Sequence, residues 1–378
     1  MDLQDEFPHV SDICYLNHAA VAPWPARARE AVTAFAQENV IRGAQHYPRW
    51  LTVERELRER LSHLIHAPAP EDVALVKNTS EALSMVAYGL SWSDGDEIVI
   101  TNQEFPSNRI VWESLADQGV KVVVADLESA GSPEEAIEGA VSDRTRLMSI
   151  SSVQYGTGLR LDIGRLGRFC HEQEVLFCVD AIQSIGAEPL DVQRDHIDFT
   201  MADGHKWMLG PEGLGLFYVR PALRDRLKLY EFGWHSVKHR GDFDRTDWEL
   251  APDAQRFECG SPNLLGAHVL NASVSLLLES GLDHVRSEIG ERVQYLREAV
   301  SSIPNVVCIT PEPPERRGGI FTFRLEGRNN EALQKTLMGK GVVCAYRGGG
   351  IRFSPHFYTP YETIDRAVES IRHEASRH

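Results

Sequence analysis

Between residues 73 and 219 the chain alternates short, apolar, β-branched runs with amphipathic stretches of helical period. "VALVK" (73–77), "EIVIT" (97–101), "VKVVVADL" (120–127), "RLMSISSV" (146–153), "VLFCVD" (175–180), "HIDFTMAD" (196–203) and "GLGLFYV" (213–219) read as strands. Between them lie segments such as "SEALSMVAYGL", "SNRIVWESLADQG", "SPEEAIEGAV" and "DIGRLGRFCHEQE", which read as helices. Runs this apolar leave no face for water, so they belong in a largely parallel sheet covered by helices on both sides. After about residue 262 the texture changes. One long helical stretch (266–300) leads into "NVVCITP", "GGIFTFRL", a helix near 330–340, "VVCAYR", "GIRFS" and a final helix. The expected fold class is therefore α/β: a three-layer α/β/α large domain with a mostly parallel sheet over residues 15–262. A smaller α+β domain follows over 263–378, with residues 1–14 packing near it. A chain of 378 residues exceeds the usual reach of a single core, in keeping with two domains.

Charge narrows the partners. A formal net charge of −16 disfavours nucleic acid and anionic membrane surfaces. No apolar run reaches bilayer-spanning length. The opening "MDLQDEFPHV" lacks the basic and apolar regions of a signal peptide. The six cysteines form no CxxC pair and no zinc-like spacing, which reads as reduced thiols and a cytoplasmic setting. "RGGGIR" and "GPEGLG" do not join a strand to a helix, so neither is a nucleotide-binding loop.

In open α/β sheets, ligands gather at the carboxyl ends of strands. Four candidates follow such ends. Asn78, Thr79 and Ser80 follow "VALVK" and open a helix; they are either a plain N-cap, helped by Glu81, or a phosphate cradle. Asp180 ends "VLFCVD", as a turn cap or as the partner of a buried cation. Gln154 directly follows "RLMSISSV". Lys206, in "MADGHKWMLG", either snorkels to water or does chemistry, because a lysine is almost never buried without a partner. Together, a phosphate cradle, a strand-end aspartate and a downstream lysine fit one cofactor, pyridoxal 5′-phosphate. The lysine would form a Schiff base with it, and the aspartate would keep its pyridine nitrogen protonated.

The run "VDAIQSIG…HIDFTMADGHKWMLGPEGLGLFYV" resembles the signature of the class V aminotransferase family, within the fold-type I pyridoxal-phosphate enzymes. That family includes cysteine desulfurases, selenocysteine lyases, isopenicillin N epimerase-like proteins and kynureninases. The likeness extends from "YLNHAAVAPWP" to "IRFSPHFYTP" and implies the aspartate aminotransferase-like fold. It implies Lys206 as the Schiff-base lysine, Asp180 at the pyridine nitrogen and Gln183 at the cofactor's phenolic oxygen. It places Thr79, Ser80 and His205 at the phosphate, Phe105 stacked on the ring, and Gln154 near cofactor and substrate. Ser261 would reach the phosphate of a neighbouring subunit, which implies a homodimer with composite sites. Arg352 would grip the substrate α-carboxylate, and Asn17 and His18 would belong to the segment closing over the substrate.

The resemblance implies an enzyme acting on an α-amino acid by amino transfer or by Cβ–S or Cβ–C lysis. The sequence also departs from parts of the family. Desulfurases carry a catalytic cysteine on a mobile loop before the substrate arginine. Here the stretch is "VVCAYRGGGIRFSP", and its one cysteine, Cys344, reads as part of a strand. Sulfur transfer to a protein partner is therefore the disfavoured alternative. A catalytically retired binding module is disfavoured by the retained Lys206, Asp180, Gln183 and Arg352. Asp203 stands where some relatives have a phosphate-binding serine; an acid there would be repelled by phosphate, so it is expected to turn elsewhere. "GVVCAYRGGGIRFSPHFYTPYETID" looks closest to kynureninases, but "NHAA" and "DGHKW" do not match them.

Overall fold

The computed structural model describes residues 3–8 and 12–376. In chain order the strands are β1 (Cys14–Tyr15), β2 (Val73–Val76), β3 (Glu97–Thr101), β4 (Lys121–Ala125), β5 (Thr145–Ser151), β6 (Leu176–Asp180), β7 (Phe199–Asp203) and β8 (Gly215–Val219). They continue as β9 (Val306–Cys308), β10 (Phe321–Leu325), β11 (Val342–Val343), β12 (Ala345–Arg347) and β13 (Gly350–Phe353). A seven-stranded sheet has the order β2-β8-β7-β6-β5-β3-β4. Its β3, β4, β5, β6 and β7 run parallel, and β8 is antiparallel to both of its neighbours. Helices cover both faces, so strand residues such as Val99, Ile150, Phe177 and Phe217 are fully buried. This is the helix-covered, largely parallel sheet that the strand–helix alternation implies, and it agrees with the fold-type I architecture that the resemblance implies.

Register decides what the sheet presents. Ser151 pairs with Asp180, and Asp180 with Met201, so the carboxyl ends of β5, β6 and β7 line up along one edge. The helix Thr79–Gly89 starts at that edge too. Its N-cap Asn78 accepts a hydrogen bond from the Glu81 N–H. The expected N-cap is thus real, and the free end of the helix still points at the edge.

The second sheet is four-stranded and antiparallel, in the order β12-β13-β10-β9. The helical stretch expected over 266–300 is two helices, Leu264–Ser280 and Leu282–Ser301. Gly281 divides them at φ +81, a left-handed backbone that ends one helix and starts the next. β12 and β13 form a hairpin whose two-residue turn is Gly348–Gly349, both with positive φ. Two consecutive glycines suit the tight turn that a right-twisted hairpin needs. The glycine run "RGGG" is therefore hairpin punctuation.

β1 pairs in parallel with β11, and Phe7 stacks on Tyr358, so the described part of the N-terminal segment packs on the C-terminal elements. Residues 1–2 and 9–11 of that segment lie outside the described residues. Among the described residues no helix is long and apolar enough to cross a membrane. All six cysteines are free thiols.

Candidate active site

Lys206 follows β7 at the carboxyl edge and is buried, 9% exposed. Its ammonium lies 5.7 Å from the centre of the Phe105 ring. Burial pushes its pKa down, Asp180 opposes the shift, and the Arg352 guanidinium adds to it. Asp180, 2% exposed, moves the other way: burial pushes its carboxyl up, and nearby Glu104 also raises it. The Ile182 N–H donates to Asp180 Oδ1 at 3.1 Å. A lysine held toward neutrality beside an aspartate held toward protonation is the electrostatic pattern of a reactive centre.

Two glutamines border this pair, and their amides are locked in opposite senses. Gln183 accepts from the Trp207 indole N–H at 2.9 Å and donates to the Ala19 carbonyl at 3.1 Å. An indole N–H can only donate, so Gln183 keeps one amide hydrogen to offer. Gln154, fully buried, turns its nitrogen toward Glu104 Oε1 and the Ser151 carbonyl, both at 3.4 Å. Glu104 also accepts from Thr101, Asn108, and the backbone and hydroxyl of Ser151. A carboxylate receiving that many donors accepts only. Gln154 Oε1 is therefore left buried and unpartnered.

Phe105 is 39% exposed and meets Tyr155 edge-on at 5.1 Å. Arg352, 3% exposed, donates from Nη1 to the Tyr155 carbonyl at 2.9 Å, and its Nε has no partner. Burial, then Arg347, pull its pKa down to about 10. His205 is held neutral: burial and Lys206 push it down to about 4. Its Nδ1 lies 3.4 Å from Asp203 without forming a hydrogen bond, so this is no ion pair.

The expectations for Asp203 and His18 need correction, and Ser80, Ser261 and Asn17 lie as follows. Asp203 does not turn away from the helix start; its Oδ1 accepts from both the N–H and the hydroxyl of Thr79, the latter at 3.1 Å. The carboxylate occupies donors expected for phosphate because a buried acid must find hydrogens, and the helix N-terminus supplies them. Ser80 stays exposed, its hydroxyl on Ser107. His18 is fully buried, with Nδ1 2.8 Å from the Ser354 carbonyl and Nε2 2.7 Å from the Tyr358 hydroxyl. Both nitrogens are committed, so His18 braces the N-terminal segment and has none to offer a substrate. Ser261 is exposed and lines a cavity of about 370 Å³ with Lys77, Glu81 and Gly213. Lys206 does not line that cavity. Asn17 bridges to Ser354 and leaves Oδ1 buried and unpartnered.

Sequence reasoning missed Glu104 and Tyr155. The signal for Glu104 was present: an acid three residues beyond the apolar strand region and directly before Phe105.

The unpartnered atoms of Gln154, Asn17 and Arg352, with a buried lysine and aspartate at one strand edge, are polar groups that fit pyridoxal 5′-phosphate. Comparison places the fold in a known class. The apo cysteine desulfurase from Thermococcus onnurineus NA1 superposes with a TM-score of 0.88 at 23% identity, covering 99% of this chain and 97% of that one. A complex of the cystine C–S lyase C-DES with its reaction product, cysteine persulfide, superposes with a TM-score of 0.88 at 23% identity, covering 97% and 99%. The family model "Aminotransferase class-V" matches residues 14–366, and the chain belongs to that family. A probable cysteine desulfurase of Methanothermobacter thermautotrophicus is 29% identical over 392 aligned positions, covering 98% of this chain and 96% of that protein.

Proposed function

We propose that this protein is a pyridoxal 5′-phosphate enzyme that breaks the Cβ–S bond of a cysteine-type α-amino acid, and that the sulfur leaves without passing through a cysteine of its own hairpin. When bound, the cofactor supplies an electron sink for negative charge at the substrate's Cα. Lys206 would hold it covalently, Asp180 would partner its pyridine nitrogen, and the spare amide hydrogen of Gln183 would go to its phenolic oxygen. The helix start at Thr79 and Ser80, with His205, would take the phosphate end once Asp203 yields the Thr79 donors, and Phe105 would cover the ring. Arg352 holds the α-carboxylate through a planar fork, which orients the bond to be broken. Lys206 Nζ, whose pKa burial pulls down toward the neutral range, moves the proton at Cα. The single observation that carries this reading is the buried Lys206 beside Asp180, facing an Arg352 that has no carboxylate of its own.

Sulfur chemistry is preferred over amino transfer because the relatives reported above are named for it. This narrows the sequence expectation of amino transfer or Cβ–S or Cβ–C lysis to Cβ–S cleavage, and the relatives' names also favour the desulfurase-type alternative that the sequence disfavoured. The missing loop cysteine still bears on the outcome. Cys344 is 2% exposed, and burial pushes its thiol up to about 12, so it is a poor persulfide acceptor. The short hairpin at Gly348–Gly349 leaves no mobile loop to carry another. A second reading, persulfide transfer to the thiol of a separate protein, keeps the same bond cleavage with a different acceptor.

The test is product analysis with L-cysteine and L-cystine. Pyruvate, ammonium and a sulfide species mean lysis; alanine formed in step with a thiol acceptor means transfer. Amino transfer to a keto acid with no sulfur released would overturn both. Lys206→Ala must abolish turnover and the visible absorbance of the lysine-bound cofactor.

A further inference from the structure

We propose that Arg347 reads a second anionic group, so that the substrate is an amino acid carrying a carboxylate, sulfinate or sulfonate beyond its α-carboxylate. This rests on the reading that Arg352 holds the α-carboxylate.

The hairpin register places the two arginines together. Ala345 lies opposite Arg352, and Arg347 opposite Gly350. Directly opposed residues share a face, and so do residues two apart on one strand. Arg347 and Arg352 therefore project from the same face as diagonal neighbours, with Cα atoms about 7–8 Å apart. That face looks toward Lys206. Thr322, opposite Arg352 on β10, donates its hydroxyl to the Gly156 carbonyl, while Arg352 donates to the Tyr155 carbonyl. Tyr155 in turn meets Phe105, which lies beside the lysine. In support, both guanidiniums act to lower the Lys206 pKa.

Neither arginine has an acid. Among the described residues, Arg347 donates only to the Tyr346 carbonyl, and Arg352 only to the Tyr155 carbonyl. Three other buried arginines are paired, Arg58 with Glu54 and Glu258, Arg256 with Asp225, and Arg292 with Glu288; Arg317 has no acid but donates to Gln294. With 55 acidic residues against 39 basic ones, acids are plentiful, yet the two cations beside Lys206 stand without one. One α-carboxylate satisfies one guanidinium fork. The buried Arg352 is placed for that group. The exposed Arg347, at the hairpin tip, is placed for whatever the substrate carries at its far end.

The experiment measures binding of amine-free acids to the holoenzyme by calorimetry, so that no reaction with the cofactor intervenes. Propanoate carries one anionic group, while succinate and 3-sulfopropanoate carry two. The wild type should bind at least one of the two-anion acids about tenfold more tightly than propanoate, the scale of one added charge-assisted hydrogen bond. The tighter of the two identifies the distal group as carboxylate or sulfonate. Arg347→Gln should remove the preference and leave propanoate binding unchanged. Equal binding of all three acids by the wild type overturns the proposal. So does an Arg347→Gln variant that weakens propanoate as much as succinate, because Arg347 would then share the α-carboxylate. Either result leaves Cβ–S cleavage standing. Conversely, absence of sulfur release from L-cysteine sinks the reaction without touching the acid preference.

Discussion

Asp203 shows how one residue can redirect a site. Its carboxylate caps the helix that starts at Thr79, and burial raises its pKa. A phosphate approaching that helix meets a carboxylate already on its donors. We expect Asp203→Ser to free the Thr79 N–H and hydroxyl and to remove the repulsion. Dissociation of pyridoxal 5′-phosphate, followed by absorbance titration, should tighten several-fold. The lost cap should cost about 1 kcal/mol of stability. Unchanged or weaker cofactor binding would place Asp203 away from the phosphate. The same scale holds the pairing of Trp207 with Gln183 and of Glu104 with Gln154, where acceptor-only and donor-only partners decide which end of an amide faces the cleft.

At the scale of elements, the β12–β13 hairpin is the part most closely tied to substrate recognition. Gly348 has φ +58, and a Cβ there would lie 2.5 Å from the Gly156 carbonyl oxygen. The hairpin tip thus sits backbone to backbone on the loop that follows β5. Gly349 is also left-handed, at φ +78, but a Cβ on it would meet nothing. The two glycines form a matched pair for experiment. Either change to alanine should cost about 1–2 kcal/mol from the left-handed backbone alone. Only Gly348→Ala should also push the hairpin off its seat, moving Arg347 and Arg352 and raising KM for amino-acid substrates. Denaturant unfolding and steady-state kinetics on both variants separate strain from displacement. An unchanged KM in Gly348→Ala would mean that the seat does not position the arginines.

For the whole molecule, the question is what completes the site. Ser261 lines a cavity that Lys206 does not line. The segment around residues 230–248 exposes Tyr230, Phe232, Phe243 and Trp248, with Phe243 79% exposed. Contiguous exposed aromatics mark an association surface. We expect a homodimer in which this segment is covered and Ser261 approaches the partner's phosphate end. Light scattering should give twice the chain mass, and Phe243→Asp with Trp248→Asp should shift it toward monomer with loss of activity. A fully active monomer would overturn the composite site.

Much of this was legible in one dimension. The apolar runs ending in Asp180 and Asp203 set the strands, because their burial admits only a covered sheet. The Lys206 segment and the strand-end aspartate specified the cofactor, because few other chemistries need both. What the chain alone could not decide was pairing and direction. Register aligned Ser151 with Asp180 and set Ala345 opposite Arg352, which brought Arg347 to the same face. Whether Asp203 would avoid the helix start or cap it, and whether His18 would face a substrate or brace a segment, depended on donors and acceptors distant in sequence. Local composition dictates which residues must be buried, but only the folded chain decides which polar atoms find partners there, because hydrogen bonds and ion pairs form over a few ångströms of space.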